Sequence, residues 1–464
     1  MILENIKILG YRGFQKEQSI NFAVPNNDIG SGYTIITGSN NSGKSSIIEC
    51  LKAREGYYGR APSFPNGTRN SLHEEVNIQY NFIGGYSETL KSLRKGSSET
   101  VFNEKNQDVQ FFVVPSRRAF EPYFIQSQTS RKNYIYSNGF EAKRSSILNK
   151  FSDRLFLIEQ NHEKKNKYDD ILEQVLGFRP EWAIDQNEQS QYFLKFISGP
   201  HSYSSNGVGE GIISIFVIVD AIYDSEPGDI IIIDEPELSL HPSLQKRLSK
   251  LFLEFSKDRQ IVISTHSPYF IDINALSKGA ALVRVTSNKE GTEIYQLSEI
   301  SKKLIAKLAN DNLHNPHIWG LDAREFFFQE DGIILVEGQE DVLLYPKIAE
   351  QLGKKIKGSF FGWGAGGAGN ISSLCSIAND LGFEKVSVIF DGDKKSEFAK
   401  LRNKFCNYNF QIIPADDIRT KKARKAVDEK KGILDENKTL RDEFHDEMNR
   451  IFDSLNEYFK DSNL

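Results

Sequence analysis

At 464 residues, 39% hydrophobic and 26% charged, the chain has the make-up of a globular protein long enough for two or three domains with sizeable cores. A net charge of −5 and three scattered cysteines, Cys50, Cys375 and Cys406, argue against a nucleic-acid coat protein, a disulfide framework and a zinc site. They point to a reduced, cytoplasmic setting, and the most apolar stretches, "IISIFVIVDAIY" and "IIIID", are too short to span a bilayer.

Residues 1–50 read as strand, turn, strand ("GYTIIT"), glycine-rich loop and helix ("KSSIIECLKA"). The loop, "GSNNSGKS" at 38–45, meets every fixed position of GxxxxGK[ST] between a strand and a helix, the context that motif requires. Gly38 and Gly43 let the backbone wrap phosphate oxygens, with Asn41 inside the loop and Ser46 just after it, and the helix start supplies N–H donors. Lys44 would neutralise phosphate charge and the Ser45 hydroxyl would ligate Mg²⁺, so the expected nucleotide is ATP. The bland alternative, a glycine turn with a chance Lys-Ser, loses ground to "DIIIIDEPE" (229–237). There a buried strand delivers Asp234, suited to the Mg²⁺ shell, and Glu235, suited to polarising the attacking water.

Between these, residues 51–200 are mixed. Polar turns precede an apolar strand "QFFVVPS", and helical periodicity follows in "SSILNKFSDRLFLIEQ" and "KYDDILEQVLGF". After "DIIIIDEP" come a helix, "PSLQKRLSKLFLEFSK", and a strand, "QIVISTHSP". Residues 276–327 read as a connecting region. From "DGIILVEG" to about residue 415 strands and helices alternate again, which predicts a second, smaller parallel-sheet domain. The last fifty residues are charged and helix-patterned.

In that second region "LVEGQEDVLL" ends a strand in Glu337, turns at Gly338 and sets Asp341 in the first turn of a helix. Downstream, "VSVIFDGDKK" ends another strand in Asp391 and Asp393. Four acids at one sheet edge repel one another unless cations sit between them, and all-oxygen donors suit hard divalent ions. "GWGAGGAG" carries GxGxxG at Gly364, Gly366 and Gly369, but a dinucleotide there would crowd four carboxylates. A turn allowing close backbone packing, or approach of a nucleic-acid phosphate, is the preferred reading. From Lys394 to Lys431 twelve Lys/Arg face five acids, a run that alone reads as a solvated face and beside a metal centre as a phosphate-tracking surface.

The order of these elements resembles ABC-type ATPases of the SMC/RecF/OLD group. "SSNGVGEG" (204–211) looks like a degenerate signature with Ser205, Gly207 and Gly209, "SLHP" (239–242) sits where the D-loop belongs, and His266 matches the switch histidine. The opening "IKILGYRGFQKEQSINF" resembles that group's first strand pair, with Arg12 a nucleotide neighbour. The resemblance implies a homodimer or higher homo-oligomer in which each signature completes the other copy's ATP site. The acids resemble the EGxxD and DxD elements of Toprim domains, which implies Glu337, Asp341, Asp391 and Asp393 as metal ligands, with Asp416 or Asp417 contributing from "IPADDIRTKK".

An ABC-type ATPase followed by a Toprim domain is similar to the OLD (overcoming lysogenization defect) family, which includes Gabija-type and retron-associated phage-defence nucleases. The expected fold is α/β: an ATPase domain over 1–320, with a mixed insert at about 116–200 as a dimerisation element, then a Rossmann-like Toprim domain over 328–464 with a basic helical C-terminus. The resemblance implies Mg²⁺- or Mn²⁺-dependent DNA cleavage controlled by ATP or by a defence partner, a helicase or a reverse transcriptase with its nucleic acid, and no membrane. Glu235, His266, Glu337 and Asp391 are the expected catalytic groups. A C-terminal lysine, one of Lys421, Lys422, Lys425 and Lys438, would stabilise the transition state. An ATP-gated DNA-binding or sensor subunit with an inactive Toprim domain is the alternative.

Overall fold

The computed structural model describes residues 1–56, 60–118, 120–137, 148, 150–311, 317, 320–329, 331–420, 432–435 and 437–460. It divides into two compact units, Met1–Ile294 and Tyr295–Leu464.

In the first unit, runs of β-branched residues make strands covered on both faces. Tyr33–Thr37, Ile230–Asp234 and Gln260–Ser264 are buried at every position, as parallel strands between helical layers must be. They belong to a six-stranded sheet ordered Gly291–Gln296, Ala281–Asn288, Tyr33–Thr37, Gln260–Ser264, Ile230–Asp234, Phe111–Val114. The parallel register pairs Asp234 with Ser264 and Ser264 with Ile36. The loops after those three strands therefore leave from one edge, and they carry Gly38, Glu235 and His266.

Beside it lies an antiparallel sheet, Gln18–Asn21, Leu3–Leu9, Asn77–Phe82, Ser87–Ser92 and Thr100–Asn103. The alternation in "NIQYNF" buries Ile78, Tyr80 and Phe82 against the core. The mixed reading of 51–200 missed the last three of these strands, because short polar turns hide a period of two. Helices Phe151–Glu159 and His162–Leu176 match the periodicity expected there, and a three-stranded sheet of Glu181–Gln186, Tyr192–Ser198 and His201–Ser204 follows.

The phosphate-loop helix, Lys44–Ala53, is anchored at its far end by Arg54. This fully buried guanidinium bridges Glu88 (2.7 Å) and Glu55 (2.9 Å), bonds the carbonyls of Val109 and Asn106, and stacks 4.8 Å from the Phe111 ring. Removing one partner of such a pair strands a buried charge. Arg54→Ala should therefore lower unfolding stability by about 3–5 kcal/mol, read as a shifted urea midpoint. A change within about 0.5 kcal/mol, the range of a neutral surface substitution, would contradict this account.

Residues 276–327 are more than a connection. They hold the adjacent strands Ala281–Asn288 and Gly291–Gln296 and a helix, Glu299–Asp311. The first strand extends the central sheet, pairing Val283 with Ile36.

In the second unit a parallel sheet runs Ser359–Phe360, Ile333–Leu335, Val386–Phe390, Asn409–Ile412. Helices Gln339–Gln351, Ala368–Asp380 and Lys395–Lys404 alternate with these strands. Ile334, Ile389, Tyr345 and Ile348 share a core with Phe452 of the last helix, His445–Tyr458. Leu335 pairs with Val388 and Phe390 with Ile412, so Glu337 and Asp391 leave the sheet at the same end. Asp417–Arg419 pairs with Gly432–Leu434 in a separate two-stranded ladder. Among the described residues no helix is long and apolar enough to cross a membrane.

Candidate functional site

The phosphate-binding loop is shaped by contacts as well as by its motif. Gly38 (φ +145°) and Gly43 (φ +114°) occupy backbone space closed to L side chains. A Cβ on Gly38 would lie 2.2 Å from the Val285 carbonyl oxygen, and one on Gly43 would lie 2.9 Å from Thr292 side-chain atoms. Asn41 is exposed and left-handed (φ +62°). Lys44 is buried and donates to the carbonyls of Gly38 (2.9 Å) and Ser39 (2.8 Å). Ser45 and Ser46 sit half-buried in the first helical turn. Arg12 pairs with Glu49 at 2.7 Å on the next turn.

Asp234 is buried and accepts the Ser264 hydroxyl. Glu235 follows with φ +45°, an unusual conformation for a non-glycine residue. Its carboxylate lies 3.8 Å from His266 Nε2. Burial first, and the charge of Lys44 second, hold the His266 imidazole below its ordinary value, so the ring is neutral near neutral pH. Lys44, Asp234, Glu235 and His266 thus gather at one edge of the sheet.

Ser205 and Gly207 lie elsewhere. They form a short turn before the helix Glu210–Tyr223, and Ser205 lines a cavity of about 640 Å³ with Ser116, Arg117, Arg118, Val208 and Ser239 among others. No residue of the phosphate loop lines that cavity. Two residues without a role in the sequence reading, Arg118 and Glu237, bind the loops around Glu235. Arg118 belongs to no motif and Glu237 only closes the stretch 229–237 without an assigned role, so their contacts disclose them.

In the second unit five acids surround the end of the sheet. Asp341 is buried and accepts the Gly338 N–H (2.8 Å), capping its own helix. Glu337 accepts the Asp391 N–H (3.2 Å). Asp393 pairs with Lys394 at 2.9 Å, and Glu340, one residue before Asp341, pairs with Arg419 at 2.6 Å. Of the two neighbours left open by sequence, Asp417 is buried and Asp416 exposed. Burial, then the charges of Asp341, Glu337, Asp417 and Asp393 in that order, push the Asp391 carboxyl up to about 8.

Among the described residues no three His, Cys, Asp or Glu side chains are already gathered as a metal cage. The acids are neighbours that feel one another's charge. Mutual repulsion in an all-oxygen set fits a hard divalent cation, and Glu337, Asp341, Asp391, Asp393 and Asp417 are the groups that would hold it. Lys421, Lys422 and Lys425 lie outside the described residues. Lys438 is exposed on a left-handed turn (φ +62°).

The GxGxxG stretch serves packing. Ala365 N–H donates to Val336 O and Gly367 N–H to Glu337 O, both at 2.8 Å. A Cβ on Gly364 (φ +83°) would sit 2.5 Å from Gly338 O. Gly364→Ala should therefore displace the Glu337 turn, at about 1–3 kcal/mol, and lower the melting temperature. Gly369→Ala, with no atom within 4 Å of the added carbon and a helical position, should be neutral or mildly stabilising. Equal melting temperatures for the two variants would refute the packing role.

Comparison with known proteins agrees with this layout. A family model described as "AAA domain, putative AbiEii toxin, Type IV TA system" matches residues 33–272, more than half of the chain. One described as "Overcoming lysogenization defect protein-like, TOPRIM domain" matches residues 327–393. "Endonuclease GajA" of Bacillus cereus is 28% identical over 228 residues, covering 44% of this chain and 35% of that protein. "OLD nuclease" of Thermus scotoductus is 35% identical over 219 residues, covering 43% and 40%. The matches thus span well under half the length of either relative. A solved SMC head bound to the C-winged helix domain of ScpA overlays with a TM-score of 0.42 at 15% identity, over 65% of this chain and 100% of that one, too loosely to argue from. Matched over more than half of its length, the chain belongs to that AAA-domain family, and it carries an OLD-like TOPRIM domain after the ATPase domain.

Proposed function

We propose that the chain is an ATP-binding, divalent-cation-dependent DNA endonuclease acting in antiviral defence, with nucleotide state or a partner controlling cleavage. The observation that carries this reading is the set of five acids around one end of a parallel sheet, in a chain that also gathers Lys44, Asp234, Glu235 and His266. The printed names of the two relatives, an endonuclease and a nuclease, support it.

In the ATPase domain the loop from Gly38 to Ser45 cradles phosphates, and Lys44 exchanges two carbonyls for them. Ser45 and Asp234 would hold the nucleotide's Mg²⁺. Glu235 takes the proton of the attacking water, and neutral His266 stands 3.8 Å from its carboxylate. Ser205 and Gly207 serve the nucleotide of a second copy, which makes a homodimer through the ATPase domains the working unit. In the Toprim domain Mg²⁺ or Mn²⁺, when bound, supplies an activated water and charge stabilisation at phosphorus. The five acids orient that chemistry, and the basic run beginning at Lys394 tracks the DNA backbone.

The absence of a closed cage among the described acids favours a second reading, an ATP-gated DNA-binding subunit with a silent Toprim domain. Purified chain incubated with supercoiled plasmid and Mg²⁺ or Mn²⁺ separates the two. Nicked or linear product supports the nuclease, whereas intact plasmid with ATP-dependent DNA binding supports the sensor.

A further inference from the structure

We propose that Arg118 and Glu237 are positioning residues for ATP hydrolysis: Arg118 holds the backbone of the Asp234–Glu235 pair, and Glu237 ties that loop to His266. The inference rests on the nucleotide-hydrolysing reading of this edge and extends it to two residues to which the motifs assign no role.

Arg118 follows the strand Phe111–Val114 and is buried. Its guanidinium donates to the carbonyls of Asp234 (3.2 Å), Glu235 (2.6 Å) and Ser116 (2.8 Å). Peptide carbonyls are modest partners for a buried cation. Burial accordingly lowers the Arg118 basicity to about 10, against the attraction of Asp234, Glu237 and Glu235. What the contact does is constrain geometry. Glu235 sits at φ +45°, and a non-glycine residue stays in that sparse region only when its surroundings over-determine it. The Glu235 carbonyl is gripped by Arg118 and the Glu235 N–H by the Ser264 carbonyl (2.9 Å), so the peptide units on both sides of its Cα are fixed. The direction of the side chain follows from that.

Glu237 works from the other side. One carboxylate oxygen accepts the His266 N–H (2.6 Å) and the other the Thr265 hydroxyl (2.8 Å). Both partners are donors, so the site needs two acceptor oxygens, which a carboxylate has and an amide lacks. Through these bonds the loop after Ile230–Asp234 and the loop after Gln260–Ser264 move as one, and the 3.8 Å approach of His266 to Glu235 is held.

The test is steady-state ATP hydrolysis by the full chain, with affinity for a fluorescent ATP analogue and melting temperature measured alongside. Arg118→Gln and Glu237→Gln should each lower kcat about 10- to 100-fold, as expected for displaced catalytic groups. KM and analogue affinity should stay within about twofold, because the phosphate loop is untouched. Arg118→Lys, which reaches one carbonyl, should recover part of the rate. Thr265→Val deletes a single hydroxyl and should show a smaller loss of the same kind. Wild-type kcat in folded Arg118→Gln and Glu237→Gln variants would overturn the inference, as would losses that appear equally in affinity and melting temperature. A wild-type chain that binds ATP without turning it over would instead sink the hydrolytic reading, and this inference with it.

Discussion

Replacing both Glu337 and Asp391 by alanine is expected to abolish Mg²⁺- or Mn²⁺-dependent plasmid cleavage, by at least about 100-fold, while ATP binding stays at the wild-type level. The two acids leave adjacent parallel strands at the same end of the sheet, and the Glu337 carboxylate accepts the Asp391 N–H. They are therefore the pair whose relative position the backbone defines best. The double variant should also unfold no earlier than wild type when metal is absent. Asp391 is buried among four other acids, and its carboxyl is pushed up to about 8 by burial and by their charge. Removing two of those acids relieves repulsion, the usual relation between a functional site and stability. Nicking that survives in the double variant would place the chemistry elsewhere. A large fall in melting temperature would show that these acids serve the fold.

Lys44→Ala is the second substitution with a large expected effect: affinity for ATP should fall about 10- to 100-fold, the loss of one charge-assisted contact, measured by titration with a fluorescent analogue. Lys44 is buried and satisfied by the Gly38 and Ser39 carbonyls, so phosphates replace an existing pair of hydrogen bonds, and the net effect is moderate. The five acids belong to the other compact unit. Metal-dependent cleavage by the variant should accordingly persist under conditions where nucleotide is not required. Unchanged ATP affinity would falsify the assignment of this loop.

Much of this protein is written locally. The phosphate loop, the strand ending in Asp234 and the strands ending in Glu337 and Asp391 are each a buried apolar run followed at once by polar residues. A parallel sheet turns that order into position, because every strand delivers its next residues to the same edge. The helices Phe151–Glu159, His162–Leu176 and Pro242–Phe255 follow in the same way from apolar residues at helical spacing. The last three strands of the antiparallel sheet and the pair at 281–296 escaped, since four to eight residues broken by polar turns give too brief a period.

The sequence by itself determined which chemistries the chain can offer: a phosphate cradle, an acidic pair with a histidine, and a carboxylate set for a hard cation. Tertiary structure decided how those groups are held and which alternatives drop out. Burial separated Asp417 from Asp416, and the close approach of Gly364 to Gly338 turned an apparent dinucleotide loop into a packing device. The contacts of Arg118 and Glu237 gave roles to two residues that the motifs left without one. The physical reason is one of range. Strand, turn and helix signals act over a few residues, while the arginine that grips Glu235 lies 117 positions away along the chain.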